Sequence, residues 1–225
     1  MFPIGDDGKL KRKPIVNWFL IGANTLIFIY SITLGDYQSI INSYGLTPAD
    51  FISGKKLYTF FTSMFLHAGP IHLAGNMLYL YIFGDNVEDQ LGHTKYLLLY
   101  FISAFGADIL HIFTLTSPQS FLVPAVGASG AISGILGAFL ILCPRVRIKV
   151  AVILWFFIVI PVRAHFFIAA WFVYQLLMSM LGLFFGAGGI AWFAHIGGFM
   201  AGYLLAILFI RTKRKKEKKF LVLYR

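Results

Sequence analysis

Long apolar stretches, separated by short connections that contain polar residues or glycine, occupy most of this chain. A helix needs about 20 mostly apolar residues to cross the hydrocarbon layer of a membrane. By that measure the pattern predicts six spanning helices, with ends set to within about 2 to 4 residues. The predicted spans are residues 14–34, 70–84, 95–115, 126–142, 163–182 and 192–210. The predicted fold is all-α, a polytopic membrane protein with a bundle of six transmembrane helices.

The apolar segment 150–162 lies between Lys149 and Arg163 and is too short for a seventh span. As a helix it would reach only about 20 Å, whereas the hydrocarbon layer is about 30 Å thick. We therefore expect it to lie in the membrane interface or to be re-entrant. Six crossings place both termini on one side of the membrane.

Composition excludes an ordinary soluble domain, because 59% of the residues are hydrophobic, 12% are charged and the mean hydropathy is +0.79. The net charge of +10 comes largely from basic residues that flank the first and last spans. Positive charge beside spans predicts cytoplasmic termini and attraction to membrane lipids, not nucleic-acid binding. The predicted organisation is a basic cytoplasmic segment at 1–13, a membrane domain at 14–210 and a basic cytoplasmic tail at 211–225.

No secretory signal peptide is predicted, since the first apolar run is long enough to span and lacks a convincing cleavage site. The compact chain without a transit segment suggests a cell membrane, the prokaryotic plasma membrane. The single cysteine, Cys143, allows no internal disulfide. No cofactor or metal motif is found, and the sequence does not predict an oligomeric state.

Four polar side chains stand near the outward-facing starts of the second, fourth and sixth predicted spans: His72, Asn76, Ser129 and His195. These three spans run in the same direction, so the four side chains are expected to converge in the outer part of the membrane. A serine hydroxyl becomes a nucleophile when a neutral imidazole takes its proton, which suggests Ser129 as nucleophile and His195 as base.

Small residues repeat on both of the helices that carry this pair. After Ser129, one helical stripe is formed by Gly130, Gly134 and Ala138, and Gly198 and Gly202 share a face with His195. Small faces allow helices to approach closely, which would bring the imidazole to the hydroxyl. Glycine spacing alone favours the alternative, simple packing motifs with a hydrogen-bonded histidine.

His72 and Asn76 are four residues apart and therefore project from one face of a helix. Polar groups are costly inside a membrane, so they are candidates for function. Here they could donate hydrogen bonds to an oxyanion, together with the backbone N–H of Ser129. The alternative is an interhelical hydrogen-bonded pair.

Three separated motifs resemble the signature of the rhomboid intramembrane serine proteases, in the same order and spacing. They are the segment from His67 through His72 to Asn76, the run Gly127-Ala128-Ser129-Gly130, and Ala194-His195-Ile196-Gly197-Gly198 with Gly202. The resemblance covers about residues 57–210. It implies a Ser129–His195 dyad without a third carboxylate, His72 and Asn76 as oxyanion-stabilising side chains, and transmembrane proteins as substrates. Glu88 and Gly92 match a further pattern of the family that is structural.

The chain departs from the resemblance in two details. Some members have a Trp-Arg pair in the first loop, which is missing from residues 35–69, and an aromatic residue where Ser133 stands. By analogy with the family, residues 186–189 are interpreted as a mobile cap or, equally, an ordinary turn, and the fifth span as a gate. Asp108 is interpreted as a polar contact or an outward-facing end residue.

Two other classes of function are compatible with a helical membrane protein. A non-catalytic rhomboid-like protein that binds transmembrane clients would be expected to lack the serine or the histidine, and Ser129 and His195 are both present. A small transporter would more often show a polar path through the whole bilayer than a cluster in its outer part.

Overall fold

The structure, a computed structural model, describes residues 2–153, 157–185 and 191–223. Ten α-helices and three strands are assigned within these residues, with two 3₁₀ turns at Ser63–Phe65 and Pro118–Leu122 and one π-helical turn at Leu80–Gly84. The elements in chain order are β1 (Phe2–Asp6), α1 (Ile15–Thr33), α2 (Tyr37–Tyr44), α3 (Pro48–Ile52), α4 (Thr59–Thr62), α5 (Pro70–Tyr79), α6 (Asp85–Leu91), α7 (His93–Phe113), α8 (Ser129–Leu142), β2 (Arg147–Ile153), β3 (Phe157–Arg163), α9 (Ala164–Phe185) and α10 (Trp192–Leu223).

Helices occupy every stretch predicted to span. Among the described residues, four helices are long and apolar enough to cross a membrane, namely α1, α7, α9 and α10. The fourth predicted span corresponds to the shorter apolar helix α8, and the second to α5 followed by the π-helical turn. The prediction of a mostly helical, multi-pass membrane protein is confirmed, whereas the count of six crossings stays a prediction.

A small antiparallel sheet, which the sequence did not predict, adjoins the helical bundle. β2 pairs with β3 from Arg147 opposite Arg163 to Ile153 opposite Phe157. β1, from the segment predicted only as a basic terminus, pairs with the other edge of β2. The described parts of the apolar segment, residues 150–153 and 157–162, are thus strands and not helix, a conformation that their valine and isoleucine residues favour.

The backbones of α8 and α10 touch along a seam of glycines. A Cβ atom added to Gly198 would lie 2.0 Å from the carbonyl oxygen of Gly130, and one added to Gly202 would lie 2.0 Å from that of Gly134. Because the paired positions increase together, the two helices are parallel. The seam therefore places the start of α8 beside the start of α10, as the small-residue stripes predicted.

At the opposite end of α8, acidic side chains of α6 accept hydrogen bonds from backbone N–H groups near the start of α1. The buried Glu88 carboxylate accepts hydrogen bonds from the backbone N–H groups of Val16 (3.0 Å) and Asn17 (2.7 Å), at the start of α1. A carboxylate there satisfies free N–H groups and favours the positive end of the helix dipole. Gly92 follows with a φ of +77°, a conformation that favours glycine.

Candidate active site

Ser129 is the first residue of α8, and the loop before it can approach α5 because residue 127 is glycine. Gly127 has a φ of +130°, and its N–H donates to the carbonyl of Ser63 at 3.0 Å. A Cβ atom at Gly127 would lie 2.8 Å from Cε1 of His72. A larger residue would therefore strain the loop and displace the imidazole beside Ser129.

The structure brings the predicted nucleophile and base into contact. The Nε2 atom of His195 lies 3.0 Å from the Oγ atom of Ser129, within hydrogen-bonding distance. The two residues are 66 positions apart in the sequence, and the glycine seam between α8 and α10 accounts for their approach. This is the geometry in which an imidazole can take the proton of a hydroxyl.

The other nitrogen of His195 contacts a residue that sequence reasoning missed. Its Nδ1 atom lies 2.8 Å from Oε1 of Gln175, a buried side chain of α9. The rings of Trp171 and Trp192 lie 6.3 and 6.0 Å from the imidazole, measured between ring centroids. A signal was present, because Gln175 is a polar residue inside an apolar span and follows Trp171 by one helical turn.

Ser133 stands where some rhomboids have an aromatic residue, and it does not contact the imidazole by a hydrogen bond. Its hydroxyl instead donates to the backbone carbonyl of Ser129 at 2.7 Å, four residues back along α8. Trp171 and Gln175 of α9 and Trp192 of the same helix α10 surround the His195 ring. Apart from Ser129, the neighbours that orient the ring therefore come from α9 and α10, and Ser133 of α8 is not one of them.

His72 and Asn76 face the same cleft as the Ser129–His195 pair. The cleft has a volume of about 850 Å³ and is lined by all four side chains, with Trp171 and Trp192 among its walls. Nδ1 of His72 accepts a hydrogen bond from the N–H of Ala68 at 3.3 Å, so a neutral His72 carries its proton on Nε2. Asn76 is buried, and no acceptor in the described part of the chain bonds its amide Nδ2.

A second histidine lies close to His72. The ring centroids of His67 and His72 are 5.2 Å apart. Burial, together with the nearby His72, lowers the pKa of His67, in the loop before α5, to about 4. His67 is therefore neutral near pH 7 and adds no positive charge beside the cleft.

Ser129 also borders a small cavity on its other side. The cavity has a volume of about 40 Å³, and Asp108 and His111 of α7 contribute polar side chains to its wall. A space of this size and polarity can hold water. Asp108, interpreted from the sequence as a polar contact or an end residue, thus lies beside the candidate site.

No cluster of three potential metal ligands occurs among the residues that the structure describes. The glycine-rich segment 186–189, interpreted as a cap or a turn, lies outside the described residues.

The fold and the site together define a class: a multi-pass membrane protein with a serine and a histidine in contact at the start of two parallel helices. A family model described as "Rhomboid domain" matches residues 54–212. The chain belongs to the rhomboid family.

Similar proteins are found in plants and bacteria. The chain is 31% identical to "RHOMBOID-like protein 6, mitochondrial" of Arabidopsis thaliana over 83% of this chain and 55% of that protein. It is 32% identical to "Rhomboid protease AarA" of Providencia stuartii over 68% of this chain and 56% of that protein. It is 25% identical to "Putative rhomboid protease YdcA" of Bacillus subtilis over 92% and 94% of the two chains. The chain spans about half the length of most of the relatives that it matches.

Proposed function

We propose that this protein is an intramembrane serine endopeptidase that cleaves transmembrane segments of other membrane proteins. The observation that carries the proposal is the 3.0 Å contact between Ser129 Oγ and His195 Nε2 in the wall of a large cleft. Similarity to a protein named as a rhomboid protease supports the same reaction. A binding protein would have no need for a hydroxyl and an imidazole in this arrangement.

In the first half of the proposed reaction, Ser129 Oγ attacks the carbonyl carbon of a peptide bond while His195 Nε2 takes the hydroxyl proton. The carbonyl oxygen becomes an oxyanion. The backbone N–H of Ser129, Nε2–H of His72 and the Asn76 amide are the donors available to it. When the C–N bond breaks, His195 returns the proton to the leaving amine, and the acyl chain remains on Ser129.

In the second half, water replaces the amine. His195 takes a proton from the water as its oxygen attacks the acyl ester, and it then protonates Ser129 Oγ, which leaves as the hydroxyl. The net reaction adds one water to one peptide bond. The small polar cavity beside Ser129, with Asp108 and His111 in its wall, supports a local store of water within a largely apolar fold.

The proposed setting is a cell membrane with both termini in the cytoplasm. Basic residues before α1 and near the end of α10 support this orientation. Bacterial relatives support a prokaryotic plasma membrane, although similar proteins include ones named as mitochondrial. The proposed partners are transmembrane protein substrates and the surrounding membrane lipids.

Labelling with a fluorophosphonate, which reacts with activated serines, tests the proposal without knowledge of the substrate. We expect the purified protein to be labelled, and Ser129→Ala and His195→Ala to abolish both labelling and cleavage of a model transmembrane substrate. Ser133→Ala, one helical turn away on α8, is the matched control and should still be labelled. Labelling that survives in Ser129→Ala would reject Ser129 as nucleophile.

A further inference from the structure

The contact between Gln175 and His195 joins two helices through buried polar groups. Gln175 is 4% exposed, and its Oε1 atom lies 2.8 Å from His195 Nδ1. An amide oxygen can only accept a hydrogen bond, so Nδ1 must carry the proton and donate it. Nε2 of a neutral imidazole is then left with a lone pair, and this is the atom 3.0 Å from Ser129 Oγ.

We propose that Gln175 is a positioning residue of the active site, which fixes the tautomer and the ring orientation of His195. The proposal rests on the proposed protease function, and it makes Ser129, His195 and Gln175 a hydrogen-bonded series. Without an acceptor at Nδ1, the proton can occupy Nε2 instead. In that tautomer His195 has no lone pair for the hydroxyl proton of Ser129.

The chemistry of the acceptor suits its surroundings. A carboxylate in this position would place a charge among apolar helices, which is costly. A carboxamide directs the proton of a neutral imidazole without adding charge, and its carbonyl dipole still favours the imidazolium that forms during catalysis. Among the described side chains, only Ser129 and Gln175 form hydrogen bonds with the His195 ring.

The position of Gln175 makes the base depend on α9. Only 17% of the apolar stretch of α9 is buried inside the protein, compared with 28% to 39% for the three other long apolar helices. Aromatic contacts, including Phe172 with Phe199 at 4.5 Å between ring centroids, hold α9 against α10. The orientation of His195 thus depends on a helix that is packed on few sides. Displacement of α9 would remove the hydrogen-bond acceptor of Nδ1–H, and the proton could then move to Nε2.

Kinetics of three variants test this role. Gln175→Leu removes the acceptor at similar size and should lower kcat by about 10- to 100-fold with little change in KM, as expected for loss of a hydrogen bond to a charged group. Gln175→Glu retains an acceptor oxygen at the same reach and should recover most of the kcat of the folded enzyme, although the buried carboxylate lowers stability. Ser179→Ala is the matched control: it removes a buried hydroxyl one turn further along α9 that donates to the backbone carbonyl of Gln175 at 2.8 Å and not to His195, and it should keep wild-type kcat.

A spectroscopic readout separates positioning from general support of the fold. ¹⁵N NMR of labelled histidine, with the His195 signal identified by its loss in His195→Ala, should show a proton on Nδ1 in the wild type. Gln175→Leu should shift that signal toward a mixture of tautomers. A folded Gln175→Leu variant with wild-type kcat and an unchanged His195 signal would overturn the proposal, as would an equal loss of kcat in Ser179→Ala.

Failure of this inference is distinguishable from failure of the protease proposal. If fluorophosphonate does not label the wild type, the protease function fails irrespective of Gln175. If the wild type is labelled and cleaves substrate while Gln175→Leu is unaffected, only the positioning role fails.

Discussion

Buried polar side chains have different surroundings at the two ends of α8. At the end beside the sheet, the Glu88 carboxylate accepts hydrogen bonds from two backbone N–H groups of α1. The Asn17 side chain there donates to the Leu80 carbonyl and accepts from the Tyr96 hydroxyl. At the end that begins with Ser129, the Asn76 amide has no acceptor within the described structure. A buried asparagine amide thus has its hydrogen-bond partners at the sheet end, whereas at the other end the amide nitrogen of a buried asparagine has no acceptor among the described residues and the side chain lines a cleft.

The free-energy cost of burying a polar group explains why the two ends differ. A polar group that leaves water without a partner destabilises the fold, and the cost grows in apolar surroundings. At the sheet end, the hydrogen bonds that join α1 to α6 and α7 offset that cost. The donors around Ser129 are better suited to a ligand or a transition state, where a negative charge would complete their bonding.

Removing a saturated group is expected to have the largest effect on stability. Glu88→Ala leaves the N–H groups of Val16 and Asn17 without their charged acceptor, and the loss of two such hydrogen bonds should reduce the free energy of unfolding by about 3–5 kcal/mol. Unfolding in detergent micelles measures the loss. Asp50→Ala, which removes a more exposed pair with Lys56, is the control and should cost about 1 kcal/mol or less. Equal losses in the two variants would contradict the comparison.

Removing an open group should reduce the rate and leave the fold intact. Asn76→Ala is expected to lower kcat about 100- to 1,000-fold, as when one oxyanion donor is lost, while the unfolding transition changes little. Initial rates on a model transmembrane substrate, together with unfolding curves, measure both properties. Ile71→Ala, at an 88% exposed position on the same helix, is the control. A stability loss in Asn76→Ala as large as that of Glu88→Ala would remove the distinction between the ends.

A third expected effect is a dependence of stability on pH at the sheet end. Burial, with a smaller contribution from the nearby Asp6 carboxylate, raises the pKa of Asp85 from 3.8 to about 7, against hydrogen bonds from Asn86 that lower it. The folded protein therefore binds this proton more tightly than the unfolded chain, so stability falls as pH increases from about 4 to about 7. Asp85→Asn should remove that loss and stabilise the protein more at pH 8 than at pH 5.

Thermal unfolding of both proteins at the two pH values measures the effect. Identical pH profiles for the wild type and Asp85→Asn would show that Asp85 is not responsible. Ser129 labelling should be retained in the variant, because Asp85 lies at the other end of the bundle from the site.

The helical bundle was largely predictable because apolar residues run continuously wherever a helix spans the membrane. The predicted starts at residues 14 and 192 differ from the observed helices at Ile15 and Trp192 by one residue or none. The sheet was missed for a physical reason. A strand at Phe2–Asp6 has no strong pattern of its own, and it forms because the distant edge of β2 supplies hydrogen-bond partners.

The sequence predicted Ser129 and His195 as site residues but not Gln175. Motif spacing and the shared direction of three spans indicated that Ser129 and His195 would meet. No motif drew attention to Gln175, since a single glutamine in an apolar helix equally fits a lipid-shielded packing contact. Only the rotation of α9 about its own axis, which the tertiary structure sets, shows that Gln175 faces His195.

The amino-acid sequence by itself determined that this protein is a helical membrane protein and which four polar side chains stand near the starts of three of its helices. These properties depend on apolar length and on local spacing, which any single helix already contains. The tertiary structure alone decided the three-stranded sheet, the Gln175–His195 hydrogen bond and the small cavity beside Ser129. Each of these arises between elements that are distant in the chain, and their relative rotation and depth are set by packing as a whole.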